Sequence, residues 1–323
     1  MPKVSVVVPV YNVERYVERC VRSLFEQTLD DIEYVFVDDC TPDNSVEVIK
    51  KVLREYPHRL HQVKFIHHLV NKGLTAARNS GLELATGDYI AHCDSDDWVS
   101  LNMYESLLKR AEQTNADVVY CNFYMAYLDA MVEHSNLEVI NDRTEYLQKY
   151  MTTAWTSIWN LIAKKRLYMD NHLESPSNFT YCEDFYLTVK LMFFAEHIEK
   201  INTPLYYYNR ENENSLLHKD NGRAIKDELM CYTEILTFFD KYGVKDQYIK
   251  ELSWKILGCS QDWVLNPNYH QVFCDYMPEK NKFILSCPFV NVKIKFMMWL
   301  LTHKMRGLVL MLLCLRERKN SLS

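Results

Sequence analysis

Short apolar runs alternate with amphipathic segments along the first 125 residues, and this alternation limits the fold more than any other feature of the chain. Four of these runs, rich in β-branched and aromatic residues, lie at Val4–Val8, Tyr34–Val37, Val63–Ile66 and Tyr89–Cys93. Strands that alternate with helices predict an α/β fold with a mostly parallel sheet, because a parallel neighbour can be reached only through a long crossover.

The segments between the predicted strands carry helix signals. Asn12 can cap a first helix that runs through Phe25, since asparagine is a favoured N-cap residue. Further elements are predicted at about 45–56, 71–84 and 103–113 as helices and at 118–123 as a strand.

Beyond about residue 125 the regular alternation stops. Aromatic residues become frequent, an extended segment is predicted at Leu205–Tyr208, and from about Asn221 the chain is predicted to be helical. We therefore expect one α/β domain over residues 1–215 and a helical subdomain over residues 216–323, appended as a C-terminal extension.

Composition excludes several classes of protein. A formal net charge of −6 argues against a nucleic-acid binder, which needs a basic surface. The ten cysteines form no C-x-x-C pair, so no zinc site or disulfide framework is predicted. Only seven glycines occur, with no glycine-rich loop after the first strand, which argues against a dinucleotide fingerprint or a P-loop.

Location is predicted from the two ends of the sequence. Met1-Pro2-Lys3 leads directly into a strand-like run, too short for the apolar region of a signal peptide, so a cytoplasmic protein is expected. Phe296–Leu301 and Leu308–Leu313 are apolar, flanked by basic residues and too short to span a bilayer. A C-terminal helix in this region would lie on the inner face of the plasma membrane or pack on the protein itself.

Three carboxylates follow the fourth predicted strand within four positions, at Asp94, Asp96 and Asp97. Like charges at a strand end repel each other, whereas a hard cation such as Mn²⁺ or Mg²⁺ takes oxygen ligands from one or two carboxylates and from substrate phosphates. The alternative is an acidic turn in which Asp97 or Ser100 caps a helix.

Four motifs in order carry a family resemblance. They are Val4–Asn12, Val37–Asp43, Asn71–Asn79 and Asp94–Trp98. In order and spacing they resemble the family 2 glycosyltransferases of GT-A fold, and similarity continues through Trp159–Leu161, Glu183-Asp184 and Pro204–Tyr208. The resemblance covers roughly residues 1–215 and is nearest to bacterial enzymes of cell-surface polysaccharide assembly. It implies a nucleotide-sugar-binding part (1–125) and an acceptor-side part (126–215).

The resemblance also implies a donor site. In the family, the segment matching Pro9, Tyr11 and Asn12 and the carboxylate matching Asp39 form the nucleobase pocket. Asp96 would bind Mn²⁺ or Mg²⁺ directly, and Asp94 would contact the ribose or the metal. Arg78 either reaches the nucleotide or is a charge on a helix face, Ser95 belongs to the same donor motif, and Asp97 is a weaker candidate.

Four further residues are candidates for the site. Asp184 matches the position of the catalytic base, with Glu183 as its rival within the acidic pair. Trp159 belongs either to a sugar-stacking cleft or to the core. His218 is a weak candidate for closing over the diphosphate.

The predicted function is an inverting, metal-dependent transfer of a sugar from a nucleotide-diphosphate donor, UDP being favoured, to a glycan or lipid-linked acceptor. Two alternatives remain open. A sugar nucleotidyltransferase should carry a glycine-rich basic loop after the first strand, and Pro9–Asn12 is not one. A non-catalytic scaffold that binds a nucleotide sugar would not need Asp96 or Asp184.

Overall fold

The computed structural model describes residues 2–212 and 221–320. The chain forms two compact units, Met1–Asp220 and Asn221–Ser323. The first unit is a mixed α/β structure, and the second consists of helices. The α/β class expected from the sequence is therefore confirmed.

The first unit contains the sheet and seven α-helices among its described residues. Its strands are β1 Val4–Val10, β2 Ile32–Asp38, β3 Val63–His67, β4 Tyr89–His92, β5 Trp98–Val99, β6 Val118–Tyr127, β7 Ala130–His134, β8 Leu161–Lys164 and β9 Ile198–Asn209. Its helices are α1 Val17–Phe25, α2 Ser45–Leu53, α3 Leu74–Leu84, α4 Met103–Thr114, α5 Arg143–Thr153, α6 Lys165–Asp170 and α7 Glu183–Phe194.

The sheet has the strand order β3-β2-β1-β4-β8-β6-β9-β5, and β7 pairs with β6 at the side. Strands β3, β2, β1 and β4 are parallel to one another, and β6 is parallel to β9. The four other pairings are antiparallel. The sheet is therefore mixed rather than mostly parallel, because β8 enters it antiparallel between β4 and β6.

Strand β1 lies at the centre of the parallel part and is buried along its whole length. It pairs with β2 on one side and β4 on the other, so its residues face helices rather than water. Helix α3 packs closely on this part of the sheet, because Gly81 has no side chain to keep the helix away from Val7. A Cβ at Gly81 would lie 2.3 Å from Val7 Cγ1.

Asn12 does not cap the first helix. Its φ is +55°, and its backbone N–H donates to Thr41 Oγ1 at 2.8 Å. Helix α1 begins only at Val17, with Tyr16 at the N-cap position and no side-chain cap. Asparagine tolerates positive φ better than most residues, so Asn12 forms the sharp turn that leaves β1 instead of starting the helix.

The second unit contains α8 Asn221–Lys241, α9 Lys245–Cys259, α10 Gln261–Leu265, α11 His270–Asp275, α12 Val292–Thr302 and α13 Arg306–Asn320. The final apolar region is two helices, because the chain turns at Lys304, which has φ +61°. One face of each helix enters the core of this unit, for example Met298 and Val309. In the described part of the chain, no helix is long and apolar enough to cross a membrane.

Candidate functional site

The candidate site lies where three parallel strands end. Tyr11 follows β1, Asp39 follows β2, and Asp94 comes two residues after the end of β4. Because β1 pairs with both β2 and β4 in parallel, these carboxyl ends meet at one edge of the sheet. Open α/β folds bind ligands at this edge.

Arg78 on α3 joins three of the predicted carboxylates. Its Nη1 donates to Asp184 Oδ1 at 2.5 Å and to Glu183 Oε1 at 3.3 Å, and its Nη2 donates to Asp94 Oδ1 at 2.9 Å. The Arg78 side chain is 2% exposed, whereas those of Asp94 and Asp184 are 25% and 22% exposed. A buried guanidinium therefore holds three carboxylates that partly face solvent.

The charges of this cluster shift one another's pKa values. Burial alone would lower the pKa of Arg78, but the carboxylates of Asp184, Asp94 and Glu183 raise it above its ordinary value. Burial raises the pKa of Asp184, and Arg78 opposes that rise. Burial and the neighbouring Asp184 raise the pKa of Glu183. The guanidinium thus opposes the effect of burial, which favours the neutral form of both carboxyl groups.

Asp184 is fixed at the first turn of α7. Its Oδ2 accepts the backbone N–H of Ile158 at 3.3 Å, while Oδ1 contacts Arg78. The residue before the helix, Cys182, has φ +70°. Glu183 reaches the same guanidinium at the longer distance and is less exposed, at 13%. Of the acidic pair, Asp184 is therefore the more accessible and the more firmly oriented carboxylate.

The two following acidic residues have different surroundings. Asp96 Oδ2 accepts from Asn212 Nδ2 at 2.8 Å, and burial together with Asp94 raises the pKa of Asp96 to about 6. Asp97 has no exposed surface, and accepts from the Tyr206 hydroxyl at 2.6 Å and from the Asn209 N–H at 2.7 Å. Asp97 therefore connects this loop to β9 and is neither a helix cap nor accessible to a ligand.

The residues at Asp94 and Asp96 fit a divalent cation. Both offer carboxylate oxygens, and burial together with the nearby Asp94 raises the pKa of Asp96, so a cation there would stabilise the charged carboxylate. Mg²⁺ and Mn²⁺ are typically held by one or two protein carboxylates and complete their shell with substrate oxygens. Within the described residues, no group of three or more His, Cys, Asp or Glu side chains forms a complete metal site.

Asp39 is held by its own chain. Its Oδ1 accepts from the Lys72 N–H at 2.8 Å and contacts His68 Nδ1 at 2.7 Å, and its Oδ2 accepts from the Gly73 N–H at 2.7 Å. The residue is 3% exposed. Since a carboxylate has about four acceptor positions, one remains on Oδ2 for a further donor.

The other predicted donor residues differ in exposure. Tyr11 is 47% exposed, and Asn12 beside it is also exposed. Pro9 is buried within β1, and Ser95 is buried at 5% exposure. Of these four residues, only Tyr11 and Asn12 are exposed enough for a nucleobase to contact them.

Trp159 is a core residue, so the stacking-platform hypothesis does not hold for it. It is 4% exposed and its ring stacks on Tyr206, with ring centroids 4.2 Å apart, and on Tyr208. Trp155, by contrast, is 40% exposed, so its ring is accessible to a ligand. His218, the remaining weak candidate, lies outside the described residues.

Sequence reasoning missed two residues, one within β9 and one just after it. Tyr206 accepts the Asp94 N–H and donates to Asp97, and Asn212 contacts Asp96. Arg19 was also missed; its guanidinium lies 3.4 Å from the centroid of the Trp98 ring. The predicted extended segment Leu205–Tyr208 was the available signal for Tyr206, because a strand beside a carboxylate cluster can supply hydroxyl and amide donors.

A sequence profile described as Glycosyl transferase family 2 matches residues 5–186, more than half of the chain. The chain belongs to this family. The Bacillus subtilis protein "Uncharacterized glycosyltransferase EpsJ" is 33% identical over 252 residues, which is 76% of this chain and 72% of that one. The pneumococcal "Glycosyltransferase GlyG" (Streptococcus pneumoniae) is 31% identical over 281 residues, 83% of this chain and 90% of that protein.

Solved structures show the same fold. S. aureus TarS 1–349 in complex with UDP-GlcNAc superposes with a TM-score of 0.68 at 20% identity, over 94% of this chain and 88% of TarS 1–349. At that identity the likeness shows the GT-A fold alone. With the family match, the chain is a glycosyltransferase, which confirms the predicted enzyme class over the nucleotidyltransferase and scaffold alternatives.

Proposed function

We propose that this glycosyltransferase transfers a sugar from a UDP-linked donor to a hydroxyl group of a glycan or lipid-linked acceptor in polysaccharide synthesis, with inversion at the anomeric carbon. The observation that carries the proposal is the contact of Arg78 with Asp94 on one side and Asp184 on the other. One buried cation thus fixes the distance between a donor-side carboxylate and a candidate base. The UDP-GlcNAc complex of the related fold supports a nucleotide-sugar donor.

On the donor side, Asp96 and Asp94 would hold Mn²⁺ or Mg²⁺, whose charge would neutralise that of the departing diphosphate. A mannosyltransferase of the same fold from Pyrobaculum calidifontis, solved with GDP-Man and Mn²⁺ (TM-score 0.55, 15% identity), supports this choice of ion. Asp39 would accept N3–H of uracil at the open position of Oδ2, and Tyr11 would pack on the base. Neither interaction needs a glycine-rich phosphate loop.

On the acceptor side, Asp184 would act as the general base. As the acceptor oxygen bonds to the anomeric carbon, the bond from that carbon to the UDP oxygen breaks, and the hydroxyl proton passes to Asp184. Burial raises the pKa of Asp184, which makes it a stronger base than an ordinary aspartate, and Arg78 limits that rise. Arg78 also fixes the carboxylate before the acceptor arrives, so no reorganisation is needed during the reaction.

The decisive experiment compares Asp184→Asn with Glu183→Gln. A panel of nucleotide sugars with Mn²⁺ first identifies the donor by thermal stabilisation, since a ligand that binds only the folded state raises apparent stability. Asp184→Asn should then bind UDP normally by calorimetry while transfer falls about 10²–10⁴-fold. Glu183→Gln should retain more activity than Asp184→Asn.

Two results would contradict this mechanism. A near wild-type rate in Asp184→Asn together with an inactive Glu183→Gln would move the base to Glu183. Retention of the donor's anomeric configuration in the product, read by NMR, would exclude a single displacement.

A second proposal concerns the membrane. We infer that helices α12 and α13 rest on an anionic lipid surface, because their outward apolar residues lie among lysines. Phe296 and Met311 are 51% and 53% exposed, and Trp299 is 37% exposed. Lys293 and Lys295 precede them on α12. Exposed apolar and aromatic side chains beside basic residues suit the headgroup region of a bilayer.

A further inference from the structure

Next to the predicted uracil contact lies a chain of three hydrogen-bonded side chains, two buried and one half-buried. His68 Nδ1 is 2.7 Å from Asp39 Oδ1, and His68 Nε2 is 2.9 Å from Ser80 Oγ on α3. The side chains of His68 and Asp39 are each 4% exposed. The mechanism above gives neither His68 nor Ser80 a role.

The partners fix the direction of these hydrogen bonds. A charged carboxylate only accepts, so His68 Nδ1 carries the hydrogen and donates to Asp39. In the neutral ring, Nε2 then accepts from the Ser80 hydroxyl. Ser80 thereby orients the imidazole, and the imidazole occupies the acceptor position on Asp39 Oδ1 that the Lys72 N–H leaves open.

A second histidine–aspartate pair lies one residue away and provides an internal comparison. His67 Nδ1 is 2.9 Å from Asp38 Oδ2, but the His67 side chain is 50% exposed. The two pairs share residue types and sequence spacing and differ in burial. A water-exposed pair of this kind contributes little to orientation, because solvent competes for both partners.

We propose that His68, oriented by Ser80, is the positioning residue that makes Asp39 select uracil over cytosine in the donor. With Oδ1 filled by His68 and Lys72, the one open acceptor position of the carboxylate is on Oδ2. The inference rests on the proposed UDP-sugar function, in which Asp39 reads the base.

The selectivity follows from the chemistry at N3 of the pyrimidine. Uracil presents an N3–H donor, whereas cytosine presents a lone pair that a fixed carboxylate repels. A site built to bond a ligand N–H strongly rejects the analogue that lacks it, provided that the site cannot rearrange. Without His68, an acceptor position on Asp39 Oδ1 becomes vacant and only the Lys72 and Gly73 N–H groups hold the carboxylate, so the discrimination weakens.

The experiment measures the dissociation constants of UDP and CDP by calorimetry in MnCl₂ for matched variants of the full chain. His68→Asn places an amide nitrogen where Nδ1 stands and keeps the bond to Asp39. His68→Gln reaches Ser80 but not Asp39. The preference for UDP over CDP should fall about tenfold in His68→Ala and His68→Gln, and stay within about threefold of wild type in His68→Asn.

Two controls separate positioning from stability and from the proposed function. His67→Ala should leave the preference unchanged, and Asp39→Asn should abolish it. A merely structural His68 would lower the unfolding temperature while both nucleotides weaken equally, which would overturn the inference. If Asp39→Asn loses the preference and His68→Gln keeps it, the inference fails and the donor assignment stands. If wild type shows no preference, the donor assignment fails and the inference with it.

Discussion

Arg78 is the residue whose removal should disturb the site most. It contacts Asp94, Glu183 and Asp184 from a buried position and offsets part of their charge. Removing one partner of a buried charge cluster leaves the others uncompensated, which typically costs about 3–5 kcal/mol. Arg78→Ala should therefore lose transfer activity. Its free energy of unfolding, measured in urea, should fall by about 3–5 kcal/mol.

Arg110 provides the matched comparison for Arg78. It pairs with Glu199 at 2.8 Å, but its side chain is 45% exposed. Surface ion pairs contribute about 0–1 kcal/mol, so Arg110→Ala should change stability little and activity not at all. Equal urea midpoints for the two variants would show that Arg78 does not compensate buried charge.

The raised pKa of Asp96 predicts how metal binding depends on pH. Burial and Asp94 raise the pKa of this carboxyl to about 6 in the folded state. A proton on Asp96 competes with the cation, so Mn²⁺ affinity should fall about tenfold per pH unit below that value and level off above it. In the metal-free protein, the folded state holds this proton after the unfolded chain has released it. Between about pH 4 and 6 the Asp96 contribution to stability therefore declines as pH rises.

The measurement is calorimetry of Mn²⁺ from pH 5 to pH 8 on wild type and Asp96→Asn. The variant should bind Mn²⁺ weakly at every pH, because it lacks the titrating carboxylate. An affinity that is flat across this range in wild type would contradict the assignment of Asp96 as a ligand.

Some of these residues could be predicted and their contacts could not. Asp94 is recognisable from its place after a strand, and Asp184 from the family resemblance. That one guanidinium contacts both depends on how α3 lies against the loop after β4 and the start of α7, across sequence separations of 16 and 106 residues. Asp97 was predicted as a possible cap, but its buried bonds to Tyr206 and Asn209 depend on where β9 lies.

At the scale of elements, the packing of α3 on β1 gives a sharp test. An alanine Cβ at Gly81 would lie 2.3 Å from Val7 Cγ1, in a fully buried strand. Alanine favours the helix by about 1 kcal/mol over glycine, whereas overpacking a core costs about 1–3 kcal/mol. Because this contact is so short, the clash should prevail, and Gly81→Ala should lower the thermal midpoint.

Gly307 on α13 is the control for this substitution. No heavy atom lies within 4 Å of a Cβ built there. Gly307→Ala should therefore be neutral or stabilising by up to about 1 kcal/mol, through helix propensity alone. If Gly81→Ala and Gly307→Ala shifted the thermal midpoint in the same direction, α3 would not pack on β1 as closely as the structure shows.

Periodicity identified the βα elements of residues 1–125 and failed where elements are short or irregular. β1, β2 and α2 lie within a few residues of their predicted ends. Strand β5, Trp98–Val99, is two residues long and has no period to detect; its pairing with β9 defines it. Strands β7 and β8 were not assigned, and no local pattern tells the direction in which β8 enters the sheet.

At the scale of the whole molecule, the predicted onset of helices at about Asn221 coincides with the start of the second compact unit. The family profile ends at residue 186, within the first unit. The donor and base candidates among the described residues all belong to that first unit, and the proposed membrane contact belongs to the second. Its exposed apolar residues on α12 and α13 favour membrane contact.

Deleting α13 would not test that contact cleanly, because Val309 and Leu313 are buried in the core of the helical unit. Substituting single exposed residues of α12 and α13 by glutamate tests the contact without removing core residues. Phe296→Glu and Met311→Glu change residues that are 51% and 53% exposed, so the fold should survive. Leu128→Glu, at an 81% exposed position in the first unit, adds the same charge elsewhere.

The wild-type protein should co-sediment with liposomes that contain anionic lipid, and less so at high salt, because screening weakens the contacts of Lys293 and Lys295. Phe296→Glu and Met311→Glu should reduce sedimentation strongly, through lost apolar insertion and repulsion from the lipid charge. Leu128→Glu should sediment like wild type, and all three variants should bind UDP equally. Sedimentation that is the same with neutral lipid, or that Leu128→Glu reduces as much as Met311→Glu, would show that α12 and α13 are not the membrane-binding surface.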